Sequence, residues 1–258
     1  MTDIDNGSRP NPTEQLRSIL VLLATLGMIA FGWMALAGMV GDTTPAEMFR
    51  KYGTPVTPAD YVFSIWALIH IGLIAFSLYQ LLPTQVGRFT PVRSLYILTC
   101  VLNCAWIYFW TLGAVTLCLA VIVVLWLILL FILSRLTCGN GLEIFVIQAP
   151  FGLYFGMITG ALLVNFAATL AYLDKMPTGG SAIALGSILV LLAAAIAVFV
   201  TIKFRNYFVP LAIAWVVTAI AIKQSSQTMI VVAAAAAVVA CLIASLSFVT
   251  KLKSSETS

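Results

Sequence analysis

Asn103, Trp106 and Trp110 fall in the segment LNCAWIYFW, inside an apolar run long enough to cross a bilayer. In that setting two indoles can stack on a flat apolar molecule while an amide orients its polar edge. At 100° per residue, Trp106 lies about 60° and Trp110 about 20° from Asn103, so one helix face carries all three. Trp66 and His70, about 40° apart, share a face of the preceding apolar run. His70 is the single histidine of the chain. It can bind the metal of a porphyrin, donate to a ligand carbonyl, or bond Asn103 at similar depth, and no residue marks a second axial ligand for haem. Trp66 and Trp110 also fit an interfacial aromatic belt.

A later run supplies Tyr154 and Asn165, about 20° apart around the helix. They are about 16 Å apart along it, which argues against one joint site. Roughly opposite stand Gly152, Gly156 and Gly160, a doubled G-x-x-x-G ridge expected to let another backbone approach closely. The five cysteines, Cys100, Cys104, Cys118, Cys138 and Cys241, show no C-x-x-C spacing and read as small packing residues.

The elements that must position these groups follow from composition. Of 258 residues, 62% are hydrophobic and 9% charged, too little polar surface for a water-soluble domain of this size. Apolar blocks at 18–39, 60–82, 94–112, 114–135, 145–172, 181–202, 207–223 and 228–249 predict about eight spanning helices. Long runs without a period of two exclude a barrel. Fold class is therefore all-α integral membrane.

Arg9, Arg17, Arg88, Arg93, Arg135, Lys203, Arg205, Lys251 and Lys253 fall at the termini and in even loops, against Arg50, Lys51, Lys175 and Lys223 in odd loops. The bias predicts that both termini are cytoplasmic, in the plasma or inner membrane. The same bias accounts for the net charge of +4 and gives no argument for nucleic acid. Ala35-Leu36-Ala37 offers a rival reading of the first block as a cleaved signal peptide, but the run is longer than the usual h-region and its tail carries Asp3, Asp5 and Glu14.

Residues 1–17 and 251–258 are expected as polar tails. The connection from Gly41 to Ala59 is the longest, and TPAEMFRKYG within it predicts a short interfacial helix able to lid a cavity on the outer side. Gly113, Gly139-Asn140-Gly141 and Pro177-Thr178-Gly179-Gly180 mark tight turns. No Asp or Glu lies well inside a span, which disfavours proton- or sodium-coupled transport. Lys223 has no carboxylate at membrane depth to suit a retinal Schiff base. The chain carries no Ser-His-Asp set, metal-ligand cluster or phosphate loop.

TPADYVFSIWALIHIGL (Thr57 to Leu73), LNCAWIYFW (Leu102 to Trp110), VLWLILL (Val124 to Leu130) and APFGLYFGMITGALLVNFAATL (Ala149 to Leu170) together resemble helices two to five of the translocator protein family, also called TspO/MBR or tryptophan-rich sensory proteins. Trp66 and Asn165 stand at the family's Trp and Asn. The resemblance implies a five-helix bundle over residues 18–175, with a pocket beneath the first loop for porphyrins and other flat apolar ligands. RNYFVPLAIAWVVTAIAIKQ (Arg205 to Gln224) resembles the longer, eight-helix branch, which implies a three-helix extension over 176–250. His70 departs from the usual Tyr and Met157 from the longer branch's Trp, and the Pro-rich approach to helix two is reduced to Pro58 and Tyr61.

These readings lead to a membrane receptor or carrier without conventional catalysis. Trp66, Trp106 and Trp110 are expected to stack on a tetrapyrrole-like ligand, with His70, Asn103 and Asn165 orienting its polar edge. Partners are the lipid bilayer and a small hydrophobic ligand, with a homodimer left open; no cofactor beyond a porphyrin-type ligand and no metal is expected. The alternative is a structural or assembly subunit, its pocket face packed by another chain, motivated by the glycine ridge and the Ala-rich last span. A third reading is enzymatic, light-dependent porphyrin breakdown.

Overall fold

The computed structural model describes residues 12–139 and 141–256, among which no strand occurs. The expected tail up to residue 11, Asn140 of the expected turn, and the last two residues lie outside that description. Helix α1 spans Pro12–Leu36. It starts earlier than the apolar pattern suggests, because Pro12 suits a first helical position and Glu14 a first turn. α2 (Pro45–Lys51) is the expected interfacial helix. A 3₁₀ segment, Asp60–Ser64, leads into α3 (Ile65–Tyr79), followed by α4 (Thr90–Thr111) and α5 (Val115–Arg135). α6 (Gly141–Glu143) runs through a π-helical stretch, Ile144–Gln148, into α7 (Ala149–Tyr172). Pro150 has no N–H to continue a regular ladder, and the Ala149 N–H reaches back to the Ile144 carbonyl instead. α8 (Gly180–Phe204), α9 (Val209–Lys223) and α10 (Thr228–Glu256) complete the chain. α10 continues into the expected C-terminal tail.

Among the described residues, seven helices are long and apolar enough to cross a membrane. Exposed large apolar side chains, among them Ile71, Phe145, Phe199, Ile202 and Ile243, present surface suited to lipid. The chain is an integral, multi-pass membrane protein. The expected seventh span, α9, is a shorter helix of 15 residues, about 22 Å at 1.5 Å per residue. Its ends nevertheless reach both ends of the bundle. Asn206, before α9, donates to the Gln148 carbonyl at 3.0 Å, and Gln224, after it, donates to the Thr54 carbonyl at 3.1 Å beside α2.

α1 packs on α3 and α4, α4 on α5, α5 on α7, and α7 back on α3, which closes a ring of five helices. α8, α9 and α10 pack together and join the ring through α7. The glycine ridge makes that junction. A Cβ at Gly156 would lie 2.7 Å from the Val209 carbonyl oxygen, and one at Gly160 would lie 2.8 Å from Val216 Cγ1. The ridge is thus filled within the chain, and it no longer motivates the assembly-subunit alternative.

The end of the bundle away from α2 is pinned by two carboxylates. Glu14 accepts from Arg93 and Thr90, each at 2.8 Å, and the buried Arg93 guanidinium also donates to Gln80 Oε1 at 2.7 Å. Glu143 accepts from Arg88 Nη2 at 2.9 Å and from the Tyr79 hydroxyl at 2.7 Å. These pairs tie α1, α3, α4 and the α6 turn at one level and leave the opposite end free to hold a roof.

Replacing Gly156 by Leu should lower stability by about 1–3 kcal/mol through overpacking against α9. Gly27→Ala, where a Cβ meets nothing within 4 Å, should leave stability unchanged or raise it. Thermal unfolding of both variants in detergent checks the contrast.

Candidate functional site

The roof is built first by local sequence. Thr44 caps α2 in a capping box. Its amide donates to Glu47 Oε2 at 2.7 Å, while the Glu47 amide donates to Thr44 Oγ1 at 3.3 Å. The Thr44 amide, with help from its hydroxyl, holds the Glu47 carboxyl below its ordinary range. Loop backbone then ties to the end of α4, where the Asp42 and Thr43 amides each donate to the Thr111 carbonyl at 3.2 Å. Trp110 Nε1 adds a long bond to the Pro45 carbonyl at 3.4 Å.

The far side of the roof is held by α9. The Ala59 amide donates to the Ala219 carbonyl at 3.0 Å, Trp215 Nε1 donates to the Val62 carbonyl at 3.2 Å, and Tyr61 meets the Trp215 ring edge-on with centroids 5.1 Å apart. The roof segment is therefore held between the ring, through α2 and α4, and the added helices, through the 3₁₀ segment and α9.

Beneath it lies a cavity of about 290 Å³. Met28 and Gly32 of α1, Trp66 and His70 of α3, and Trp106 and Trp110 of α4 form its walls, with Asn103 at the same wall and Phe49 of α2 above. Its polar content is small. Trp33 and Leu36 on α1 and Ala67 on α3 line it and are exposed, so the seam between α1 and α3 opens it toward lipid.

Five of the six expected residues, Trp66, His70, Asn103, Trp106 and Trp110, line this one hollow. Asn165 does not. It is buried behind Trp106, whose Nε1 donates to Asn165 Oδ1 at 3.3 Å, and the Cys118 thiol donates to the same oxygen at 3.0 Å. An amide that receives both bonds holds an indole in the wall of the hollow. Trp110 is 2% exposed and sits under the roof, so it does not belong to a lipid-facing belt.

Asn103 does not bond His70. Its Nδ2 donates to the Tyr154 hydroxyl at 3.1 Å, and the Tyr154 ring meets Trp66 edge-on at 5.7 Å. Tyr154 sits on α7, which α3 packs against, so its phenol reaches the inner wall at the depth of Asn103. His70 instead lies against Trp66, with ring centroids 5.4 Å apart. Among the described residues no side chain hydrogen-bonds His70, and no donor meets Asn103 Oδ1. Both remain able to bond a guest.

The family model of TSPO-like proteins matches residues 18–248. The chain belongs to that family. No curated protein and no solved structure matches it. The match in this TSPO-like chain runs through α8, α9 and most of α10 as well as the five-helix ring.

Residue reasoning alone missed Phe49, Met28, Gly32 and Trp33 as lining groups. Phe49 was signalled by the short helix it sits on. The α1 residues lie in an apolar run with no polar mark to orient it, so no pattern separated their face from the lipid face.

Tyr154→Phe should leave Asn103 Nδ2 buried without an acceptor and lower stability by about 1–3 kcal/mol. A double-mutant cycle with Asn103→Leu checks this. Near-additive losses would contradict a direct Asn103–Tyr154 coupling.

Proposed function

We propose that this TSPO-like protein is a non-enzymatic membrane receptor or carrier that takes a flat hydrophobic ligand, a tetrapyrrole or similar compound, into the roofed cavity. The observation that carries the reading is the wall chemistry: the indoles of Trp33, Trp66, Trp106 and Trp110 line one hollow, with the imidazole of His70 and the amide of Asn103 among its few polar groups. Stacking supplies affinity without direction, and the two polar groups fix the orientation of a ligand edge. The ring over residues 18–175 is the binding unit, and residues 176–250 are its brace. The α2 roof faces away from the cytoplasm and both termini face it, in keeping with the excess of Lys and Arg at the opposite end.

Size sharpens the reading. A hollow of about 290 Å³ lies at the small end of ligand sites. A macrocycle bound there projects its rim, either through the α1–α3 seam or past Phe49.

Gly32 provides the test, because a Cβ there meets nothing within 4 Å. Gly32→Leu should occupy the hollow without disturbing the helices. Titration of purified protein in nanodiscs with protoporphyrin, followed by tryptophan quenching, should show affinity at least about tenfold weaker, or about 1.4 kcal/mol, at unchanged melting temperature. Wild-type affinity in that variant would place binding elsewhere.

A further inference from the structure

Beyond Phe49 lies a second hollow, of about 470 Å³, on the roof side. It is lined by Arg50, Thr54 and Asp60 from the roof segment and by Lys223, Gln224 and Gln227 from the end of α9 and the turn after it. Phe49 lines both hollows, so its ring is the partition between a dry aromatic chamber and a polar groove. That ring is half-buried and rests on Phe63, with centroids 5.7 Å apart, and on Trp110, at 5.4 Å. A passage between the two spaces would need rotation of that one side chain, with the backbone ties of α2 kept.

Charge gives the groove a direction. Cations are scarce at this end of the bundle, where Arg50, Lys51, Lys175 and Lys223 are the Lys and Arg residues, yet two of the four converge here. Arg50 has only an exposed, 4.0 Å contact with Glu47, too loose and too wet to neutralise it. Lys223 is exposed and makes no ion pair with a described residue. Asp60 shares the groove, which leaves one net positive charge among four amide- or hydroxyl-bearing side chains, Thr54, Thr57, Gln224 and Gln227.

The aromatic chamber has no cation, so an acid group drawn into it would lose hydration without a partner. One step past Phe49, both hydration and a partner are present. We infer that the ligand class is an amphipathic acid whose flat body fills the aromatic cavity while its carboxylate passes Phe49 and pairs with Lys223 and Arg50. This rests on the binding function proposed above and adds to it a role for α9, which completes the site as well as bracing it.

The test compares protoporphyrin with its dimethyl ester, the same ring with its acids capped, by tryptophan quenching of the full chain in phosphatidylcholine nanodiscs. Wild type should prefer the acid. Lys223→Gln should weaken acid binding about fivefold, the scale of one partly solvated ion pair, with the ester unchanged within about twofold. Lys223→Arg should restore the preference, and Arg50→Gln should reproduce the loss. Equal affinity for acid and ester in wild type, or equal losses for both in Lys223→Gln, overturns the inference while leaving the cavity reading intact. Quenching by neither probe in wild type overturns the cavity reading itself and the inference with it. In discs containing phosphatidylglycerol, Lys223-dependent retention of that lipid without any acid-over-ester preference assigns the groove to lipid headgroups and likewise overturns the inference.

Discussion

The close approach of α9 to α7 is the contact on which the geometry of the roofed cavity depends. Gly152, Gly156 and Gly160 strip one face of α7 down to backbone, and Asn206, Val209, Ala212 and Val216 occupy the space that side chains would fill. Lipid gives no hydrophobic drive for helices to associate, so packing of this closeness is a principal source of cohesion. Once α9 is seated, its far end carries Ala219, Trp215 and Gln224 to the roof segment, where each makes a hydrogen bond. A short helix thus couples the least polar part of the chain to the cover of its aromatic cavity.

Inside the ring, the same economy governs the polar groups. Asn103 satisfies itself on Tyr154, and Trp106 on Asn165, in pairs that run across the bundle between α4 and α7. Unpaired, each of these groups would carry a desolvation penalty in an apolar interior. Paired, they lock the rotamers of the cavity wall, so that the hollow is preformed and a guest need not order it. His70 and Asn103 Oδ1, both bordering the hollow, make no hydrogen bond with a described residue.

Much of this was legible in the sequence because the bilayer enforces simple rules. Apolar length locates the spans, and the polar segment TPAEMFRKYG locates α2. Angular spacing brings Asn103, Trp106 and Trp110 to one wall, and the G-x-x-x-G spacing marks a packing surface. The partner was not legible, because α8 and α10 are as small and apolar as α9 and offer no pattern that ranks them. Asn165 was misplaced by one layer for a related reason. Helical angle gives the face of a residue, but the Trp106 indole standing between that face and the hollow is a tertiary fact. Tyr154 was set aside on its axial distance from Asn165, yet each bonds a different residue of α4, and distance between them is no obstacle.

The most direct measurement is an experimental structure of the full chain in nanodiscs with a bound flat acid such as protoporphyrin. The account predicts density between Trp66 and Trp106 beneath α2, with Phe49 rotated away from its present contacts and α9 still seated on the glycine ridge. Density confined to the lipid-facing surface, with the chamber empty or collapsed, would contradict it.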